Sequence, residues 1–119
     1  LRHGGTLKGW SDVQFTPIWT EDFANLLWKL IDMDATGTIH VTGATACSKY
    51  DFLVQMAYAL GIEQPDIERF YYSETTTKAP RPAKPTLNCD KLRWQYGLKP
   101  PLLYDQLEKL CKQYKLATA

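Results

Sequence analysis

Between Thr20 and Ile31 the apolar residues Phe23, Leu26, Leu27, Leu30 and Ile31 recur at steps of three and four, the spacing of one helical face. This predicts a helix with Thr20 as its N-cap and with Glu21 and Asp22 in the first turn, where the helix dipole favours negative charge. Trp28 lies beside that face, and the turn-forming cluster Asp34-Ala35-Thr36-Gly37 ends it. A second amphipathic run, Phe52, Leu53, Met56, Ala57 and Leu60, follows the capping pattern Ser48-Lys49-Tyr50-Asp51 and stops at Gly61. A third helix is predicted from Leu102, Leu103, Leu107, Leu110, Cys111 and Tyr114, with Glu108, Lys109 and Lys112 on its opposite side.

The intervening segments read differently. Thr6 to Gly9 is a short strand or loop, and Val13, Phe15 and Ile18 flank Pro17 as in an edge strand, where a missing amide donor is tolerated. The β-branched run Thr38-Ile39-His40-Val41-Thr42 and the aromatic run Ile67 to Tyr72 each have strand composition. Alternation of strands and helices without an internal repeat predicts a small α/β lobe, α+β when isolated, of several helices and short strands.

Composition narrows the functional classes. A chain of 119 residues buries one modest core, so residues 1–119 are expected to form one domain. An apolar fraction of 45% argues against disorder, and a net charge of +1 gives no electrostatic case for nucleic acid. No apolar run reaches the roughly 18 residues of a membrane span, and no signal-like stretch opens the chain, so a cytoplasmic setting without membrane contact is expected. Cys47, Cys89 and Cys111 are widely spaced and show no ligand spacing with His3 or His40, which favours free thiols and no metal site. Leu1-Arg2-His3-Gly4-Gly5 reads as the last turn of a helix running into glycine, so residues 1–10 are expected to end a preceding segment of a longer protein.

The clearest ligand signal is the stretch Lys78-Ala79-Pro80-Arg81-Pro82-Ala83-Lys84-Pro85. Three prolines fix φ and lack amide hydrogens, which holds the backbone as a stiff extended strap after the polar approach Glu74 to Lys78. Arg81, with Lys78 and Lys84 nearby, offers a phosphate or diphosphate a bidentate fork of donors. The competing reading is a solvated proline linker. Elsewhere, His40 is either a general base or an ordinary packed histidine, and Ser48, Tyr50 and Asp51 are either catalytic or simply capping groups.

Following the strap, Leu87 to Pro100 reads as a short capped helix ended by Gly97. Upstream stand Phe15-Thr16-Pro17-Ile18-Trp19-Thr20-Glu21-Asp22-Phe23-Ala24, His40-Val41-Thr42-Gly43, and Ser48-Lys49-Tyr50-Asp51-Phe52. That order, from about Leu7 to Tyr114, resembles the C-terminal, substrate-binding portion of the dTDP-4-dehydrorhamnose reductase family within the extended short-chain dehydrogenase/reductases. The resemblance implies a lobe that lacks the Rossmann domain and closes over a dTDP-sugar, while its own N-terminal Rossmann domain binds NADP(H). It also implies that Thr38 to Thr42 pads the edge of that larger sheet. In related sugar-nucleotide enzymes an arginine just before a proline touches the nucleotide's phosphates, which assigns a diphosphate contact to Arg81 and a weaker one to Lys84.

The catalytic parts of such an enzyme are not expected in these residues. Gly4, Gly5 and Gly9 lack the spacing and the preceding strand of a dinucleotide-binding turn. No tyrosine is followed by lysine four residues later, the superfamily's acid/base pair; Tyr96 and Lys99 are three apart. The chain alone is therefore expected to bind no NADP(H) tightly and to reduce nothing. Two other readings stay open. One is a non-catalytic regulatory subunit of the methionine adenosyltransferase type, with Trp10, Trp19, Tyr71 and Tyr72 as contact surface, and the other is the lobe of a sugar-nucleotide epimerase. A free-standing helical domain carries less weight, and apolar area bared by separation from a Rossmann neighbour would let the chain self-associate.

Overall fold

Among the described residues, two very short sheets and three α-helices carry the fold. The structure, a computed structural model, describes residues 5–74, 79–82 and 84–118. Strand β1 (Leu7–Trp10) pairs in parallel with β4 (Ile67–Phe70), Leu7 opposite Ile67 and Trp10 opposite Phe70. Parallel strands need a crossover, and helix α2 (Lys49–Ala59) supplies the packing surface for both. Gly9 permits that approach, since a Cβ there would stand 2.7 Å from the Tyr50 Cα. The second sheet is an antiparallel pair, β2 (Gln14–Phe15) with β3 (Cys47–Ser48).

Helix α1 (Thr20–Asp32) and helix α3 (Leu103–Thr118) complete the lobe. Two buried clusters hold it together. Leu26 and Leu30 of α1 meet Cys89 and Leu92, with Ile18, Ile39, Val41 and Leu98 around them. Leu103 and Leu107 of α3 meet Cys47, with Phe15, Phe52 and Met56 around them. Where α2 begins, Ser48 accepts the Asp51 amide at 3.0 Å, the serine half of the predicted capping box. Gly61, at φ +80, takes the left-handed stop after that helix.

Four expectations are corrected. Thr38 to Thr42 forms no strand: it has no ladder partners among the described residues, and a strand exists only where another backbone meets its amides and carbonyls. Thr20 is the first residue of α1 rather than its cap; Trp19 holds the cap position, without a side-chain cap bond. The apolar stripe of α1 is only half used, with Leu26 and Leu30 buried but Leu27 39% and Ile31 60% exposed, and Trp28 beside it is 65% exposed. The segment after the strap makes one π-helical turn, Lys91–Gln95, in place of an ordinary helix, though Gly97 does end it at φ +64. The expected helix end at Leu1 to Gly4 lies outside the described residues.

The three cysteines are buried and unpaired. Burial pushes the thiols of Cys47 and Cys111 above their ordinary value, and the carboxylate of Asp51 adds to the effect at Cys47. Both thiols are therefore neutral at physiological pH, as packing groups require.

Candidate functional site

The proline strap is a surface feature tied down at both ends. Its own sequence supplies the stiffness, since Pro80, Pro82 and Pro85 remove conformations and amide donors that a helix or sheet would need. At its start the Arg81 amide donates to the Tyr72 hydroxyl at 2.9 Å. At its end the Leu87 amide donates to the Thr16 hydroxyl at 3.3 Å. The strap thus bridges the segment following β4 and the segment following β2.

Tyr72 is itself held in place. Its ring meets Trp10 edge to face at 5.3 Å, and Trp10 stacks on Phe70 across β1 and β4. The Asp12 carboxylate accepts the amides of Tyr72 at 2.8 Å and Ser73 at 3.2 Å. The first of these bonds is the main reason that the Asp12 carboxyl is held below its ordinary range, because an amide stabilises the ionised form. A parallel strand pair therefore positions an aromatic ring, and that ring positions the arginine backbone.

Arg81 and Lys84 are both exposed. Among the described residues the ion pairs join Lys109 to Asp22 and Lys112 to Glu108, and no carboxylate claims Arg81 or Lys84. Lys78 lies outside the described residues, as does the approach from Thr75 onward. His40 is exposed and its Nδ1 lies 3.3 Å from the Asn88 carbonyl, so it braces the chain just beyond the strap. The Ser48 hydroxyl is committed to its cap. Trp10 and Tyr72 are packed against each other, which removes them from any flat aromatic patch with Tyr71 and Trp19.

One feature escaped the sequence reading. A cleft of about 370 Å³ lies between Thr16, the Gly43 to Ala46 loop and the segment Thr86 to Arg93. Arg93 and Asp90 both line it, and the small residues Gly43, Ala44 and Ala46 leave it room. Only the proximity of segments far apart in the chain creates it. Among the described residues there is no group of three or more His, Cys, Asp or Glu side chains placed to hold a metal ion, and no helix long and apolar enough to cross a membrane.

Comparison with known proteins bears on the fold of the lobe. The solved dTDP-4-dehydrorhamnose reductase of Bacillus anthracis, in complex with NADP, superposes with a TM-score of 0.85 at 20% identity over 94% of this chain and 40% of that one. The dTDP-4-dehydrorhamnose reductase ortholog of Clostridium acetobutylicum gives a TM-score of 0.79 at 27% identity, over 99% of this chain and 41% of that one. A probable low-salt glycan biosynthesis reductase, Agl14 of Haloferax volcanii, is 26% identical over 92% of this chain and 37% of its own length. The chain thus spans about two fifths of the length of each of these relatives. With residues 1–116 matching its profile, the chain belongs to the RmlD substrate binding domain family.

Proposed function

We propose that this chain is the sugar-nucleotide-binding lobe of an NADP(H)-dependent reductase of the dTDP-4-dehydrorhamnose type, and that Arg81 contacts the substrate's diphosphate, with Lys84 as a weaker second cation. The observation that carries the assignment is an exposed guanidinium without a carboxylate partner among the described residues, on a strap pinned at both ends. Pinning matters because a cation whose backbone is already fixed loses less conformational entropy on binding. The role of this lobe is orientation: a charged handle remote from the reacting carbon lets binding energy place that carbon correctly.

The residues present do not fit the dinucleotide cofactor. Gly9 is buried against the backbone of Tyr50, so it offers no free amide to a pyrophosphate. The proposal therefore assigns NADP(H) to a Rossmann domain preceding this lobe. Support for such a neighbour comes from the partly bare apolar stripe of α1 and from Thr38 to Thr42 beside it, which has no ladder partner among the described residues. Leu27, Ile31, Ile39 and Val41 line one shallow apolar depression of about 270 Å³. In this reading the sheet of the preceding domain receives Thr38 to Thr42 as its edge.

The test is a titration of the 119-residue chain with dTDP, followed by the backbone amide resonances. Shifts are expected at Arg81 and along the strap. Arg81→Ala should weaken dTDP by roughly tenfold, the scale of one charge-assisted contact at an exposed site. An unchanged affinity removes Arg81 from the site.

A further inference from the structure

Three contacts join residues 38–42 to residues 88–91, two segments far apart in the chain. Lys91 Nζ donates to the Thr38 carbonyl at 3.0 Å. His40 Nδ1 lies 3.3 Å from the Asn88 carbonyl, which can only accept, so that nitrogen carries the proton. Cys89 Sγ lies 3.5 Å from the Thr42 hydroxyl, which itself donates to the Gly43 carbonyl at 2.7 Å. The alternate residues 38, 40 and 42 thus each touch the segment that leaves the strap. Between them Ile39 and Val41 pack against the cluster of Leu26, Leu30, Cys89 and Leu92. The alternation of Thr38 to Thr42 therefore divides its contacts between two sets of neighbours, while its backbone has no ladder partner among the described residues.

These contacts fall where the strap ends. Leu87, whose amide donates to the Thr16 hydroxyl at 3.3 Å, directly precedes Asn88. Lys84 stands just before Pro85, whose ring removes backbone freedom between that cation and Leu87. A neighbouring backbone laid along Thr38 to Thr42 would order that segment, and the contacts of Lys91, His40 and Cys89 would pass the order on to Asn88 and Leu87.

We propose that Lys91, His40 and Cys89 form a latch between Thr38 to Thr42 and the far end of the strap, so that docking of the preceding domain on that segment also fixes the strap's cations for the diphosphate. The latch rests on the reading given under the proposed function and adds a means of regulating the same site. Lys91 and His40 are positioning residues here: they hold the strap's exit and touch no substrate.

Coupling between two places is reciprocal, so dTDP bound at the strap should be felt at Thr38 to Thr42. Titration of the 119-residue chain with dTDP should shift the amide resonances of Lys84 and Leu87 and also those of Ile39, His40 and Val41. Lys91→Met keeps a long side chain but removes the ammonium. It should abolish the shifts at Ile39 to Val41 and weaken dTDP about threefold, the scale of one exposed charge-assisted contact. Hydrogen exchange at the Leu87 amide should quicken by a similar factor, measured against the amides of α2. Lys91→Arg restores a donor and should recover all three readouts, whereas a side chain needed only for packing would be replaced equally well by methionine. Shifts confined to the strap in the native chain, or persisting at Ile39 to Val41 in Lys91→Met, overturn the latch and leave the diphosphate contact standing. If dTDP does not bind the native chain, the diphosphate reading falls, and exchange at Leu87 decides the latch alone: a threefold rise in Lys91→Met retains it and an unchanged rate refutes it.

Discussion

The side chain of Gln106 holds the backbone of Trp19 across 87 residues of chain, its Oε1 accepting the Trp19 amide at 2.6 Å. Its Nε2 donates to the carbonyls of Pro101 at 3.2 Å and Pro17 at 3.4 Å. A glutamine only 3% exposed thus replaces the missing side-chain cap of α1 and fixes the start of that helix against α3. The Pro101 carbonyl also accepts the Ala44 amide at 2.8 Å, so Gln106 shares that acceptor with a backbone donor.

Gln106→Leu keeps nearly the same volume but orphans the partly buried amide of Trp19 and leaves two carbonyls without this donor. The expected loss is about 1–3 kcal/mol of unfolding free energy, the cost of an unsatisfied buried group. Denaturant unfolding measures it. A midpoint equal to that of the native chain would show that water satisfies these groups equally well.

Gly43 lies against the same hub. A Cβ there would overlap the Pro17 carbonyl oxygen and stand 3.0 Å from the Gln106 Nε2. Backbone cannot move aside as a flexible side chain can, so Gly43→Ala is expected to destabilise by roughly 1–3 kcal/mol through overpacking. Thermal melting compares the variant directly with Gln106→Leu, and the double variant should lose less than the sum because the two sites share Pro17.

The Asp12 carboxylate anchors the start of the strap in a pH-dependent way. Its folded pKa lies below the ordinary 3.8, so its contribution is present at neutral pH and is lost as the solution is acidified through the folded value. Hydrogen exchange at the Tyr72 and Ser73 amides should therefore accelerate below about pH 4, measured against distant helix amides as the internal reference. Asp12→Asn should abolish that acid dependence. Exchange with the same pH profile in both proteins would rule out the anchor.

The bare face of α1 gives a prediction for the chain in solution. Trp28 and Ile31 expose large apolar side chains on one helix, and covering them against a second copy removes that area from water. Sedimentation of the 119-residue chain should reveal concentration-dependent self-association. Replacing both residues with lysine should abolish it and shift stability by no more than about 0.5 kcal/mol each, since neither is buried. A native chain that stays monomeric at high concentration would argue against an interface there.

Helix periods, glycine stops and the proline strap were readable because each depends on neighbours in sequence. The three-and-four spacing located all three helices, and Gly61 and Gly97 turn where backbone freedom is needed. The strap's stiffness also follows from its prolines alone, and so Arg81 could be singled out before any coordinates. What the apolar pattern of α1 did not reveal is which half of the stripe the lobe covers, since periodicity marks a face without naming its partner. The β-branched run Thr38 to Thr42 shows the same limit: composition favours a strand, but only another backbone makes one. Trp19 at the cap position, the Gln106 hub and the cleft shared by Arg93 and Asp90 required the tertiary structure, because their partners lie tens of residues away and no local rule brings them together.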